Sequence, residues 1–200
     1  MLLHALMPAS RANGPGLRAV VWFQGCSLGC GNCFNPKTHP FQGTEVKPEH
    51  VIREILGYDT RHDLDGVTFS GGEPMQQANA LLTIMRELRR RSPKLSLGMF
   101  TGYTERELDE GKFSTVLEAL ATDEISLWHI IRCLLDFAIM GRYNQAQASS
   151  ASLCSSRNQV LRLFSDRYTR DDFGAQEVEV IIAEDGIAQI TGFPVLGIPT

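Results

Sequence analysis

The chain reads as an α/β fold, and three observations lead there. A β-branched and aromatic run occupies 17–24. Two amphipathic stretches, 48–57 and 75–91, alternate with short apolar runs at 66–70 and 95–100. Strand, helix, strand, helix, strand at this spacing implies right-handed β-α-β crossovers and a parallel sheet. Such sheets carry their functional loops at the carboxyl ends of the strands.

The elements follow in order. The run LRAVVWFQ at 17–24 suits a buried strand, and a glycine-rich cysteine loop leaves it at 25–35. Pro48 suits a first helical position, apolar residues recur at 51, 52, 55 and 56, and Gly57 suits the helix end. GVTFS at 66–70 is a short strand that ends in the turn Gly71-Gly72. The next helix, 75–91, places Ala78, Leu81, Leu82, Met85 and Leu88 on one face. Arg89, Arg90 and Arg91 close it where positive charge complements the helix dipole, and they read as a solvated helix end. LSLGMF at 95–100 returns as a strand. Thr104 and Glu107 suit a capping box. The apolar run 126–140 accommodates a helix, a buried strand, or one leading into the other. Residues 144–156 read as a mobile polar loop and 158–164 as another strand. Residues 177–193 read as a β-hairpin, with Val178, Val180 and Ile182 alternating and Asp185-Gly186 at the turn.

Composition narrows the function. A length of 200 residues suits one domain with a small appendage. At 43% hydrophobic and 21% charged, the chain can bury a core. The formal net charge of -4 argues against nucleic acid as a partner, since such proteins are usually basic. No apolar run reaches the roughly 20 residues a membrane span needs. The N-terminal stretch is broken by Pro8 and does not suit a secretory signal. Of the 5 cysteines, three fall between Cys26 and Cys33. That clustering reads as metal ligation in a reducing, cytoplasmic compartment.

Cys26, Cys30 and Cys33 form C-x3-C-x2-C. Thiolates are soft ligands that select iron–sulfur clusters, zinc or copper(I). Gly25, Gly29 and Gly31 permit tight wrapping around either kind of site. One alternative is zinc, with His39 completing a Cys3His set. The other is a cubane cluster held by three cysteines, one iron being left to an exogenous ligand. The loop leaves a buried strand of an ordinary domain, which favours the cluster. Cys133 lies in an apolar run, where a buried free thiol is common. Cys154 lies in the polar loop.

These motifs carry a resemblance. The cysteine triad after a first strand, joined to Gly71-Gly72-Glu73-Pro74 after a second, resembles the radical S-adenosylmethionine superfamily. More narrowly it resembles the activating enzymes of glycyl radical enzymes, of the anaerobic ribonucleotide reductase activase type. Asn13-Gly14-Pro15-Gly16, Cys33-Phe34-Asn35, Thr101-Gly102-Tyr103-Thr104 and Ser155-Ser156-Arg157-Asn158-Gln159 fit that group as well. The similarity runs from about residue 13 to about residue 162. Met140 stands where the family segment usually carries an acid, and Cys154 stands where a glycine is usual.

The resemblance implies a partial (β/α) barrel over 1–164, followed by a small C-terminal extension with a β-hairpin over 165–200. It implies a [4Fe–4S] cluster on Cys26, Cys30 and Cys33, the open iron being chelated by S-adenosylmethionine. Gly71, Gly72 and Glu73 would contact the methionine end of that cofactor, Phe34 would flank its adenine, and Asp136 would lie near it. Reduction would cleave the sulfonium and yield a 5′-deoxyadenosyl radical that takes hydrogen from a glycine. No glycyl-radical consensus occurs in this chain, so the glycine would belong to a glycyl radical enzyme in trans. An electron donor such as flavodoxin or ferredoxin is implied too. Two competing expectations remain: a radical enzyme acting on a small molecule or peptide, and a zinc or electron-transfer module without catalysis.

Overall fold

The computed structural model describes residues 1–116, 123–150, 152–182 and 188–193. Its strands are β1 (Leu2–Ser10), β2 (Arg18–Phe23), β3 (Thr44–Glu45), β4 (Gly66–Gly71), β5 (Ser96–Thr101), β6 (Phe137–Met140), β7 (Val160–Leu163), β8 (Val178–Ile182) and β9 (Ala188–Gly192). Its helices are α1 (Pro48–His62), α2 (Ala78–Arg91), α3 (Glu105–Asp109) and α4 (Glu124–Leu134). The first seven strands form one sheet in the order β3-β1-β2-β4-β5-β6-β7, and β8 and β9 pair by themselves. The chain is therefore an α/β protein with a large mixed sheet and a C-terminal hairpin.

The expected parallel sheet is the centre of this arrangement. β2, β4, β5 and β6 run parallel, with Phe23 opposite Gly71 and Thr101 opposite Met140. Their carboxyl ends thus share one edge. Both flanks depart from the expectation. β1 pairs antiparallel to β2, and β7 pairs antiparallel to β6. β1 has no clean alternation to reveal it: Pro8 interrupts it, and its register with β2 shifts twice. The run 126–140 resolves as α4 leading into β6. The segment 144–156, expected as a mobile loop, holds a 3-10 turn at Gln145–Gln147 and a bridge between Ala148 and Ser156. The Asp185-Gly186 turn lies outside the described residues.

Two helix boundaries differ for local reasons. α1 continues past Gly57 to His62 and is capped by Asp63, which takes the left-handed conformation (φ 50) while its amide donates to the Asp59 carbonyl. A glycine stops a helix by adopting that conformation just past the end, whereas within the helix it merely weakens it. The segment expected to begin a helix at 75 opens instead with a 3-10 turn, Pro74–Gln77, and α2 starts at Ala78. The turn is capped by the Glu73 carboxylate, which accepts from the Met75 amide. Thr104 and Glu107 do form the capping box of α3.

Alternate residues of the strands build two cores. Val21, Phe23, Val67, Phe69, Leu97, Met99, Ala138 and Met140 pack with α1, α2 and α4 on one face. Phe137, Ile139 and Leu161 face the other way and pack with Leu153 and Phe173. That second core draws in the segment after β7: Tyr168 and Phe173 set their rings 6.0 and 4.9 Å from that of Phe137. On the same face Arg18 is fully buried. Its guanidinium is satisfied by Thr68 Oγ1, Ser96 Oγ and the Val67, Ser96 and Pro15 carbonyls at 2.7–3.1 Å.

Asp136, expected near the cofactor, belongs to this framework instead. It precedes β6 and so sits at the amino end of the sheet. One carboxylate oxygen accepts from the Leu97 amide at 2.7 Å and from Arg89 Nη2 at 2.6 Å; the other accepts from Ser165 Oγ at 2.7 Å. Arg89 also donates to the Leu134 and Leu95 carbonyls, so it is an anchor between α2 and the α4–β6 junction and not part of a solvated helix end. A buried acid needs such partners. Burial favours the neutral carboxyl, but Ser165, Arg89 and the Leu97 amide outweigh it and hold Asp136 below its ordinary pKa. The stability this contributes is complete above the unfolded carboxyl's value of about 3.9 and disappears as pH falls through the lower native value. Asp136→Asn should therefore cost about 2 kcal/mol at neutral pH. In denaturant titrations the difference from the parent should shrink below about pH 4; a constant difference down to pH 2 would contradict this account.

Candidate metal and cofactor site

The loops after β2 and β4 meet at the carboxyl edge. The Gly72 amide donates to the Phe23 carbonyl at 2.8 Å, and the Glu73 amide donates to the Gly25 carbonyl at 2.9 Å. The contact is backbone on backbone. A Cβ at Gly72 would lie 2.2 Å from the Gly25 carbonyl oxygen, and one at Gly71 would lie 2.5 Å from the Phe23 nitrogen. Gly71 also has φ +102, a conformation that side chains disfavour. The glycine pair is thus required by the approach of the cysteine loop itself.

Three buried glutamines complete the seat. Gln76 accepts from the Ser27 amide at 3.0 Å and donates to Ser27 Oγ at 2.6 Å and to Tyr103 Oη at 3.1 Å. Gln77 accepts from the Leu2 amide and donates to the Leu2 and Gln24 carbonyls. Gln24 donates to the Lys37 and Pro40 carbonyls. The Gly25 and Cys26 amides donate to the carbonyls of Thr38 and His39. The root of the cysteine loop is therefore clasped from both sides, and β1 is tied into the same network through Leu2. These glutamines carried no motif in the sequence. Their only signal is position: Gln24 follows β2, and Gln76 and Gln77 lie just past Gly-Gly-Glu-Pro.

Glu73 is 1% exposed and turns inward. Its carboxylate accepts from Met75 N at 2.9 Å, Thr101 Oγ1 at 2.8 Å and Gly102 N at 2.8 Å. It ties the β4 loop to the β5 loop. Burial raises its pKa to about 7 against those donors. Thr101-Gly102-Tyr103 and the Ser155–Gln159 segment thereby gain structural meaning. Gln159 donates to the Gly141 carbonyl and accepts from Ser155 Oγ, which fixes the end of β6.

Above this seat lies a cavity of about 410 Å³, within the range of small-molecule and cofactor sites. Cys26, Cys30, Cys33, Phe34, Gly71, Gly72 and Glu73 all line it. Asp136 is not brought there; it lies at the opposite end of the sheet. Cys133 is exposed on α4, contrary to the buried thiol its apolar run suggested. Cys154 is half-buried against the second core. His39 lines the cavity, so the expected zinc alternative retains its histidine. Among the described residues, however, no three His, Cys, Asp or Glu side chains converge on a single-ion site. A cubane cluster does not require such convergence, because each thiolate binds a different iron.

The donor set fits a cluster. All five cysteines are free thiols. Burial raises Cys26 to about 11 and also raises Cys33. Such thiols keep their protons until a metal ion replaces them. The Leu28 amide bonds to Cys26, and the Asn35 amide donates to Cys33 Sγ at 3.4 Å. Hydrogen bonds to sulfur are a recognised control on cluster potential. Gly29 (φ +62) and Gly31 have no atom within 4 Å of an added Cβ, so the space between the ligands is open. Just past the end of β6, Arg142 pairs with Glu107 of α3 at 2.9 Å and holds that carboxyl down to about 2.

A pair of glycine substitutions separates the two roles. Gly72→Ala should prevent stable seating of the cysteine loop, with iron incorporation largely lost and a stability cost of about 1–3 kcal/mol. Gly31→Ala meets no neighbour and should retain iron. Iron analysis after anaerobic reconstitution, beside thermal unfolding, checks both. Normal incorporation by Gly72→Ala would contradict the assigned contact.

Comparison with known proteins places this geometry. A model described as "4Fe-4S single cluster domain" matches residues 12–162. The anaerobic ribonucleoside-triphosphate reductase-activating protein of Vibrio cholerae is 28% identical over 172 residues, covering 82% of this chain and 99% of that protein. Its counterpart in Escherichia coli is 29% identical over 124 residues, 58% of this chain and 78% of that protein. The pyruvate formate-lyase-activating enzyme of Clostridium pasteurianum is 38% identical over 87 residues, 42% of this chain and 37% of that enzyme. The matched stretch contains all three clustered cysteines, the Gly-Gly-Glu turn and the four parallel strands that present them, so the chain belongs to the 4Fe–4S single-cluster domain family, in the radical S-adenosylmethionine group that its motifs resemble.

Proposed function

We propose that this chain is an activase that takes a hydrogen atom from a glycine of a glycyl radical enzyme supplied in trans. The observation that carries the reading is the backbone joint that sets Cys26, Cys30 and Cys33 on the same cavity as Gly71, Gly72 and Glu73. Cys26, Cys30 and Cys33 hold the cluster, and neither Cys133 nor Cys154 lines the cavity to serve as a fourth ligand. When bound, the cluster and S-adenosylmethionine supply a 5′-deoxyadenosyl radical by reductive cleavage of the sulfonium. The protein's own part is to position and to exclude. The Gly71-Gly72 turn brings backbone polar groups to the cavity wall, where they suit the charged methionine end. Glu73 holds the turn through three donors. Phe34, with its ring 4.8 Å from that of Tyr143, offers an apolar face beside the third cysteine.

Residues 1–164 form a partial (β/α) barrel in this reading, and 165–200 form a C-terminal extension that carries the β8–β9 hairpin. The relatives' names support the class of partner: a reductase in one case and a lyase in the other. An electron donor of flavodoxin or ferredoxin type completes the scheme, in a cytoplasmic setting. Among the described residues no helix is long and apolar enough to cross a membrane.

After anaerobic reconstitution the protein should hold about four iron per chain and release 5′-deoxyadenosine when reduced in the presence of S-adenosylmethionine. Cys30→Ala should abolish that release. With the parent protein, a glycyl radical signal should appear in the partner enzyme by electron paramagnetic resonance, and with Cys30→Ala it should not. Release of 5′-deoxyadenosine by Cys30→Ala at the parent's rate would defeat the assignment.

A further inference from the structure

The β8–β9 hairpin lies beyond the stretch shared with the 4Fe–4S family, which ends at residue 162. It nevertheless reaches the cavity of the three cysteines, where Ile190, Thr191, Gly192 and Phe193 are part of the lining. A two-stranded hairpin alone is marginal in water, so its position depends on what it is fastened to.

The fastening is specific. Glu179 accepts from Ser10 Oγ at 2.5 Å and from the Arg11 amide at 2.9 Å. Thr191, paired with Glu179 in the hairpin register, accepts from Asn13 Nδ2 at 2.7 Å. Asn13 opens the Asn-Gly-Pro-Gly motif, and its Nδ2 donates to both Thr191 and Ser10 Oγ. Gly192 (φ +92) seats so closely that a Cβ would meet the Glu177 carbonyl at 2.2 Å and Ala12 Cβ at 2.7 Å. The hairpin then delivers Phe193, whose ring centroid lies 6.1 Å from Phe34 and 6.2 Å from Phe100.

We propose that the hairpin is a wall of the cofactor cavity, latched by Glu179 and Thr191 to residues 10–13, with Phe193 as a positioning residue that holds S-adenosylmethionine in place and keeps water from it. The inference rests on the radical S-adenosylmethionine reading. Contact with Phe34 and Phe100 fixes the Phe193 ring at the cavity wall, and packing of that ring on the bound cofactor gives it its effect on affinity, because aromatic packing adds to simple burial. The latch matters because a wall that detaches leaves that contact unmade.

The test is equilibrium binding of S-adenosylmethionine to the cluster-loaded protein, without reductant, for the parent and three variants. Phe193→Ala should weaken binding about tenfold with iron content unchanged, and Phe193→Trp should restore most of it. Glu179→Ala lies outside the cavity lining, yet it should weaken binding in the same direction. It should also speed amide hydrogen exchange across 178–182 and 188–192, a readout independent of the cofactor. Parent-like binding by both Phe193→Ala and Glu179→Ala would overturn the inference alone. Failure of the parent itself to bind would overturn the reading beneath it, and the inference with it.

Discussion

The site depends on one close approach: the Gly71-Gly72 backbone against the end of β2 and the first residue of the cysteine loop. Two hydrogen bonds from backbone amides to carbonyls make the joint, and no side chain fits between the two segments. Its consequence is geometric. A loop carrying three metal ligands has little apolar surface of its own to bury, so its shape must be imposed from outside. Here it is imposed at the root, by groups that cannot rotate away. The parallel register that sets Phe23 opposite Gly71 brings the two chains to the same height, and the glycines allow them to touch.

From that joint the constraint spreads by hydrogen bonding. Glu73 leaves its amide on the cysteine loop and places its carboxylate under the β5 loop, so one residue couples three strand ends. Gln76 repeats the pattern between Ser27 and Tyr103. A buried polar network of this kind is stabilising only when every member is satisfied. Among the described residues no buried side-chain nitrogen or oxygen lacks a partner. The opposite end of the sheet is fixed separately, by Asp136 with Arg89 and by Arg18 with its carbonyls and hydroxyls. The carboxyl edge is thus free to serve chemistry while the amino edge serves stability.

What the sequence made legible follows the same division. Three of the four parallel strands showed because short runs such as RAVVWF and GVTFS carry β-branched and aromatic residues between turn signals, whereas β6 stayed ambiguous inside the apolar run 126–140. The site was legible where rare residue types cluster: cysteines at close spacing, and paired glycines after a strand. β1 was not, because Pro8 and two register shifts break its alternation. Gln24, Gln76 and Gln77 were not, because an amide's role depends on partners far away in sequence. Asp136 was misplaced for the same reason. A segment similarity fixed its place along the chain, but the partners that decide a buried acid's role, Arg89 and Ser165, lie elsewhere. Cys133 shows the limit of hydropathy: an apolar run gives a buried face, yet a helix still turns some of its residues outward.

The cavity's electrostatics carry the argument a step further. Its acid, Glu73, is already spent on three donors, and nearby Arg142 is spent on Glu107. Cys26 and Cys33 resist ionisation because they are partly desolvated. Apart from Lys37, which also lines the cavity, the side chains therefore do little to compensate a large uncompensated charge. A thiolate-bound cluster brings positive metal with its sulfides, and a zwitterionic ligand brings both signs together. The cluster with its three thiolates is left anionic and S-adenosylmethionine, through its sulfonium, is left cationic, so the two offset each other, and what remains can be met by backbone dipoles such as those at the glycine turn and by amides aimed at the sulfurs. This is why the loop is rich in glycine and poor in charge: the partners suited to it carry their own counter-ions, and the protein supplies close backbone approach.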